Sequence, residues 1–439
     1  MMTRPFQAVA ACFLLLAALV SASTAQEWTR FRGPNGQGIG QAQGIPSEFT
    51  EKDFNWKVEL PLVGHSSPVL WGGKIFLTCA DDAKSAKQVV VCVSASDGAI
   101  QWTKEYDSAF HRKHQLNSFA SSTPAVDEKH VYVCWSTPDQ YTLLALTHDG
   151  KEVWRRELGP YVSQHSSGIS PIVYKDLVIL GNDQDEADRA DPEQRGKSFI
   201  IAVNRDTGAT QWQTERKSVL VAYSTPCIFQ TDGGKPELIF NSQAHGISSL
   251  KPDDGSLNWE IDSADGGPLL TMRSVSSPVL CDGLITASCG SGGGGNYLVT
   301  VRPGVKEGPS PEFVYKVLQR DAAPYVPTPL YRNGLLFLLG DGGFAACFDA
   351  ETGEKHWYER LGGNFFASPI CIEGRLFCIS TAGEVVVLKA SDEYELLGTS
   401  ALGETCHSTP AVAGGKLYLR TYKHLISIGG EKDEVGGRQ

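Results

Sequence analysis

The sequence predicts an all-β protein: an eight-bladed β-propeller of four-stranded antiparallel blades, closed by an N-terminal strand. Three observations predict it. A proline preceded by a small residue recurs eight times, at Pro68, Pro124, Pro171, Pro226, Pro278, Pro329, Pro369 and Pro410, with spacings of 56, 47, 55, 52, 51, 40 and 41 residues. Each proline opens a run of short apolar segments separated by tight polar turns, and most runs end in an acidic-Gly turn and a Trp-bearing segment. The last module lacks that final segment, and a matching one stands near the N-terminus. Self-similarity at this period means one sheet repeated around an axis.

The modules align in order. Ser67-Pro68-Val69-Leu70 leads through Gly72-Gly73 to Lys74–Leu77, then Val89–Val93, then Ser96-Asp97-Gly98 and Trp102. The second module ends at Asp149-Gly150 and Trp154, the third at Asp206-Thr207-Gly208 and Trp212, the fourth at Asp254-Gly255 and Trp259, and the sixth at Glu351-Thr352-Gly353 and Trp357. The fifth places Tyr315 where the others have Trp, and the seventh has no Trp in its segment 394–397. Short β-rich runs broken by Asp-Gly or Gly-Gly are strand-turn-strand signals, because glycine reaches positive φ without strain. Proline lacks a ladder donor and belongs at the start of an edge strand, as the innermost strand of a blade is.

The eighth module supplies only three strands, 411–413, 416–420 and 425–428. The missing one is expected in Asn55-Trp56-Lys57-Val58-Glu59-Leu60, which matches Val153-Trp154-Arg155-Arg156-Glu157-Leu158 closely. Its pairing with the last blade removes the free edges an open ring exposes. Trp56, Trp102, Trp154, Trp212, Trp259 and Trp357 are expected to pack between neighbouring blades, where an indole buries a large apolar area.

Composition agrees with a turn-rich globular chain: 41% hydrophobic residues, 46 Gly and 23 Pro in 439 residues. Residues 1–25 read as a signal peptide, with Arg4 before thirteen uncharged residues from Ala8 to Val20 and small residues before a cleavage point after about Ala25. The apolar run is too short for a membrane span, so a periplasmic or secreted product is expected. Residues 26–52 form a Gly-rich lead-in, 53–430 the propeller, and 431–439 a charged tail. The net charge of −11 and the absence of a basic stripe exclude nucleic acid and an anionic membrane as natural partners. One closed ring is expected to be monomeric. The ten cysteines after residue 25 fall in or beside apolar strands, where cysteine acts as a small buried hydrophobe. A hairpin turning at Glu373-Gly374 keeps Cys371 and Cys378 from facing each other.

The unit Asp206-Thr207-Gly208-Ala209-Thr210-Gln211-Trp212 and its variant at Glu351 to Trp357 resemble the repeat of pyrroloquinoline-quinone (PQQ) proteins. The eight modules resemble the quinoprotein alcohol dehydrogenase-like propellers and their non-enzymatic BamB-like relatives. Trp28-Thr29-Arg30-Phe31-Arg32-Gly33-Pro34 resembles the start of secreted planctomycete-type PQQ-repeat proteins. For an enzyme, the resemblance implies a quinone stacked on a Trp beneath a vicinal disulfide, a Ca²⁺ held by Glu, Asn and Asp, and an Asp base. This chain has no adjacent Cys-Cys pair and short loops between blades, with only 107–117, 182–197 and 290–296 standing out. Asn182, Asp183 and Asp185 offer oxygens suited to a hard cation, but at a spacing unlike the EF-hand, and a solvated acidic loop is the preferred reading. Arg273 with Asn182 and Asp183 are the first candidates for quinone and cation contacts.

Position within the repeat is the best site signal. Residues just before each inner strand and in the loop between second and third strands gather at one mouth of a propeller channel. They include His65, Asn117, His165, Tyr223, Arg273, Tyr325, Asn364, Phe366 and His407, with Gln243, His245, Asp341, Tyr422 and Lys423 from the second set. This polar-aromatic ring suits a small ligand or peptide segment. The expected function is therefore an exported, non-catalytic binding or scaffolding module for a protein, peptide or glycan of the cell envelope, with no cofactor. The alternative is a PQQ- and Ca²⁺-dependent alcohol or sugar dehydrogenase.

Overall fold

Each proline starts a blade. In the computed structural model, which describes residues 27–185, 196–230, 233–304 and 310–430, eight antiparallel four-stranded sheets follow one another around a channel. Blade 1 shows the pattern: a short inner strand Val69–Trp71, then Lys74–Ala80, Gln88–Ser94 and an outer strand Ile100–Tyr106. Second and third strands are buried almost throughout, and the outer strand is mostly exposed, with Trp102 half-buried and Tyr106 buried. In six blades the inner hairpin turns in two residues, and at Gly414-Gly415 both lie at positive φ, 55° and 74°, as the type I′ turn requires. Blade 8 is built as its sequence demands: Ala411–Ala413, Lys416–Arg420, His424–Gly429 and, as outer strand, Phe54–Glu59. Trp56 sits opposite Ser427 in that pairing.

The tryptophans join the blades by a recurring contact. Trp154 of blade 2 stacks on Gly208 in the acidic-Gly turn of blade 3, and its Nε1 donates to the Arg205 carbonyl at 2.9 Å. A Cβ at Gly208 would lie 2.7 Å from the indole, so the turn glycine serves the close approach as well as its φ of 70°. Trp56, Trp102 and Trp212 repeat this on the blade ahead, donating to Ala95, His148 and Pro252. Tyr315 does so through its hydroxyl, to Ala350, and Trp357 reaches Ser391. Two junctions differ. Trp259 is buried between blades 4 and 5, but its Nε1 donates to Glu237 of its own blade at 2.7 Å. Blade 7, which has no Trp, is met by the lead-in: Ser47 and Glu48 lie over Gly398, and Phe49 N–H donates to Ser400 Oγ.

The small residue before each proline is Ser or Thr in all eight blades: Ser67, Thr123, Ser170, Thr225, Ser277, Thr328, Ser368 and Thr409. At seven junctions the backbone N–H of one donates to the hydroxyl of the next, at 2.9 to 3.2 Å. These bonds satisfy buried donors at the inner edges of the sheets, where no neighbouring strand can.

The lead-in is a plug rather than a connector. Trp28 bridges to Leu70, Thr29 accepts from Val126 N–H, and Asn35 exchanges two hydrogen bonds with Ile228. Arg30 donates to the Pro226 carbonyl at 2.5 Å and Arg32 to the Pro329 carbonyl at 2.8 Å. Ile39–Gly40 then adds a parallel fifth strand beside Ile370–Ile372 of blade 7. Trp28 and Arg32 are wholly buried. Burial pulls the two guanidinium pKa values down to about 10 for Arg30 and about 9 for Arg32. Both therefore remain cationic at neutral pH, held by inner-strand carbonyls.

All ten cysteines from Cys79 to Cys406 are buried free thiols. Cys371 faces Leu376 in the blade 7 hairpin, so it cannot meet Cys378.

Candidate functional site

With the lead-in filling one end, the channel opens only as a cup at the other, a cavity of about 610 Å³ with Phe31 of the plug at its floor. Its lower wall is the complete ring of eight Ser and Thr residues. Above them stand His65, Asn117, His165, Tyr223, Tyr325, Asn364, Phe366 and His407, the residues that the blade starts place at this mouth, with Asp341 from a loop between second and third strands.

Other positional candidates lie elsewhere. Arg273 is buried behind the wall: its Nη1 donates to His165 Nε2 at 2.8 Å and its Nη2 to Asp185 at 3.0 and 3.2 Å. His245 is not part of the wall, being held between Glu260 (2.8 Å) and the Lys217 N–H. Lys423 is likewise outside, with its N–H on Glu404, and Tyr422 packs beside His65 and donates to Asp82. The oxygens of the 182–185 segment are already engaged. Asn182 accepts from Gln184, Asp183 pairs with Arg216 at 3.3 Å, and Asp185 takes Arg273 and the N–H groups of Gln164 and Val221. Residues 186–195 of that loop lie outside the described residues, and no cluster of three metal-ligating side chains occurs among the described ones.

Sequence position missed Phe31, His114, Leu116, Asn296 and Gln319, all of which line the cup. His114 and Leu116 belong to the long 107–117 loop, which folds over the mouth, with the His114 ring 4.9 Å from His165. The Ser/Thr ring was readable, since every blade proline follows a hydroxyl residue.

Three histidines of the wall, His65, His165 and His407, are held neutral. Burial drives His65 well below its usual pKa, and His407, Arg420 and Lys113 push the same way. Burial and then Arg273 bring His165 down to about 4, with Asp185 opposing. Burial also lowers His407, whose ring lies 4.4 Å from that of His65. Because Arg273 can only donate, His165 Nε2 must accept, and its proton sits on Nδ1. Asp341 is raised by burial, although the N–H groups of Tyr325 (2.7 Å) and Val326 (3.1 Å) on its oxygens pull the other way. The cup thus offers rigidly held neutral rings, amides and hydroxyls around an aromatic floor.

The family model described as outer membrane protein assembly factor BamB matches residues 53–221 and 318–393, more than half of the chain. The unmatched interval spans blades 4 and 5, which supply Arg273 and Asn296. No curated protein matches the chain. Among solved structures, BamB from Moraxella catarrhalis is similar at 14% identity and a TM-score of 0.57, over 87% of this chain and 98% of that one. Quinohemoprotein alcohol dehydrogenase from Comamonas testosteroni is similar at 13% and 0.62, over 94% and 82%. Sqt1 from Saccharomyces cerevisiae is similar at 10% and 0.60, over 88% and 100%. These likenesses are of fold, and one fold hosts unrelated functions. The repeat, the eight blades and the extent of the family match agree: this chain belongs to the BamB-type family of PQQ-repeat β-propellers.

Proposed function

We propose that the protein is a non-catalytic binding module of the cell envelope, whose cup takes a segment of a protein partner. One observation carries this reading: the plug closes the channel below Phe31, leaving a single-mouthed cavity of about 610 Å³ walled by neutral polar and aromatic side chains on rigid blades. Such a site recognises shape and hydrogen-bonding groups. The carboxylates are tied into the scaffold: Asp341 by two backbone N–H groups, and Asp185, behind the wall, by Arg273. The description of the family as an assembly factor supports a protein partner, and the same family, with the N-terminal 25 residues read as a signal peptide, supports an envelope location.

A quinone with Ca²⁺ does not fit these donors. No Trp lines the cup, no Cys pair adjoins it, and Asn182, Asp183 and Asp185 are committed to Gln184, Arg216 and Arg273.

A photo-crosslinking residue at exposed Asn364 tests the binding reading in the producing cell. A discrete adduct is expected, lost in Gly292→Trp and not formed from Gly72 on the opposite face. A side chain at Gly292 meets no neighbouring atom within 4 Å, so Trp there occludes the cup without disturbing a blade. Absence of any cup-dependent adduct overturns the reading, as does quinone-dependent dye reduction by the protein mixed with PQQ and Ca²⁺.

A further inference from the structure

The Ser/Thr ring has a chemical asymmetry. None of its eight members is more than 6% exposed. Seven of the hydroxyls accept a backbone N–H. None of the seven donates its own hydrogen to a protein atom among the described residues. Each hydroxyl carries one donor, so the ring directs a circle of O–H donors at whatever lies on the channel axis. Buried donors favour an occupant that brings acceptors.

The charges around the cup point the same way. Its only carboxylate among the lining residues is Asp341, with both oxygens used. Arg420 lies wholly buried behind His65 and donates to the carbonyls of Ser66 and Thr78, with no carboxylate among its partners. The loop over the mouth carries Lys113. Among the described residues it bonds the Asn117 carbonyl, at 2.9 Å, beside the Phe119 ring. Arg420 and Lys113 both act on His65 of the wall, so their charge favours an anionic group inside the cup. The same loop exposes Phe110 (58%) and Leu116 (45%), apolar contacts for the chain that bears the anion. A free small acid would leave both uncovered and most of the cavity unfilled.

We infer that the cup receives a carboxylate of a peptide segment, its oxygens held by the hydroxyl ring and its charge met by Arg420 and Lys113 beside His65. This rests on the reading of the cup as a binding site. The carboxylate is either a chain terminus or an Asp or Glu side chain.

Two libraries of random seven-residue peptides separate these sources, one with free C-termini and one embedded between linkers, each panned against the whole protein and Gly292→Trp. Enriched peptides are expected to need an open cup and to share a C-terminus or an acidic residue at a fixed place. Amidation, or Asp→Asn and Glu→Gln in the peptide, should weaken binding at least about ten-fold, and Asn364→Asp at the rim should weaken it similarly. Cup-dependent binders indifferent to loss of the carboxylate overturn this inference and leave the binding reading standing. Failure of both libraries to yield a cup-dependent binder overturns both.

Discussion

The backbone N–H of Thr409 donates to the hydroxyl of Ser67, 3.2 Å away and 342 residues earlier in the chain. It is the bond by which the hydroxyl ring passes from the last blade to the first. The equivalent bond from Ser277 N–H to Thr328, at 3.1 Å, is convenient to break. Thr328→Val keeps the side-chain shape but leaves a buried N–H without an acceptor. Denaturant unfolding should show a loss of about 1–3 kcal/mol, and Thr328→Ser should recover most of it.

Trp154→Ala removes the indole that bridges blades 2 and 3 and is expected to destabilise by about 3–5 kcal/mol, the usual range for large-to-small core changes. Gly208→Ala acts on the same contact from the other side, driving a methyl into the ring. Since the two residues touch, the double variant should fall short of the sum of the singles by about 0.5–3 kcal/mol. Additive losses would mean that the stacking is not what joins these blades.

Arg273 and Asp185 form the most buried ion pair of the cup wall, with side-chain exposures of 8% and 1%. Arg273→Met strands the carboxylate and should cost about 3–5 kcal/mol. Adding Asp185→Asn should return part of that loss. Urea midpoints of the three proteins check the order.

Acid should destabilise the protein in a defined window. His165 titrates at about 4 when folded, against 6.5 unfolded. The unfolded chain therefore binds the extra proton first, and stability falls as pH drops from about 6.5 to about 4. His65 and His407, also depressed, act with the same sign. Melting temperatures across that range should decline less steeply for His165→Gln than for the wild type. Equal slopes would exclude His165 as a contributor.

Removing residues 53–60 takes away the outer strand of blade 8 and leaves its third strand, His424–Gly429, as an open edge. Aggregation or loss of cooperative melting is expected, readable by calorimetry and light scattering.

Blade count, strand order and the swapped N-terminal strand were legible because each blade repeats one pattern, and the pattern is local. The mouth residues followed from their place in that pattern. Phe31, Arg30 and Arg32 were not legible, because nothing in a Gly-rich polar stretch reveals that its partners are carbonyls of blades 4 and 6. Arg273 was assigned to the mouth by the same rule, but Asp185, 88 residues away, draws it behind the wall. His245 and Lys423 sit at the expected level of the ring, yet Glu260 and Glu404 hold them outside the cup. Repeat position gives height along the axis, and side-chain partners decide who faces inward.

The plug has a kinetic consequence. Its residues are made before any blade, while their partners Pro329, Cys371 and Val412 are made some 300 residues later or more. Blade 8 likewise waits on strands from opposite chain ends. Contacts this distant along the chain make for slow folding, and a chain cut short before its last two blades leaves Ile39–Gly40 without its partner strand and Phe54–Glu59 without a blade to complete. The ring can lock only once blade 8 exists to take back the strand made before blade 1.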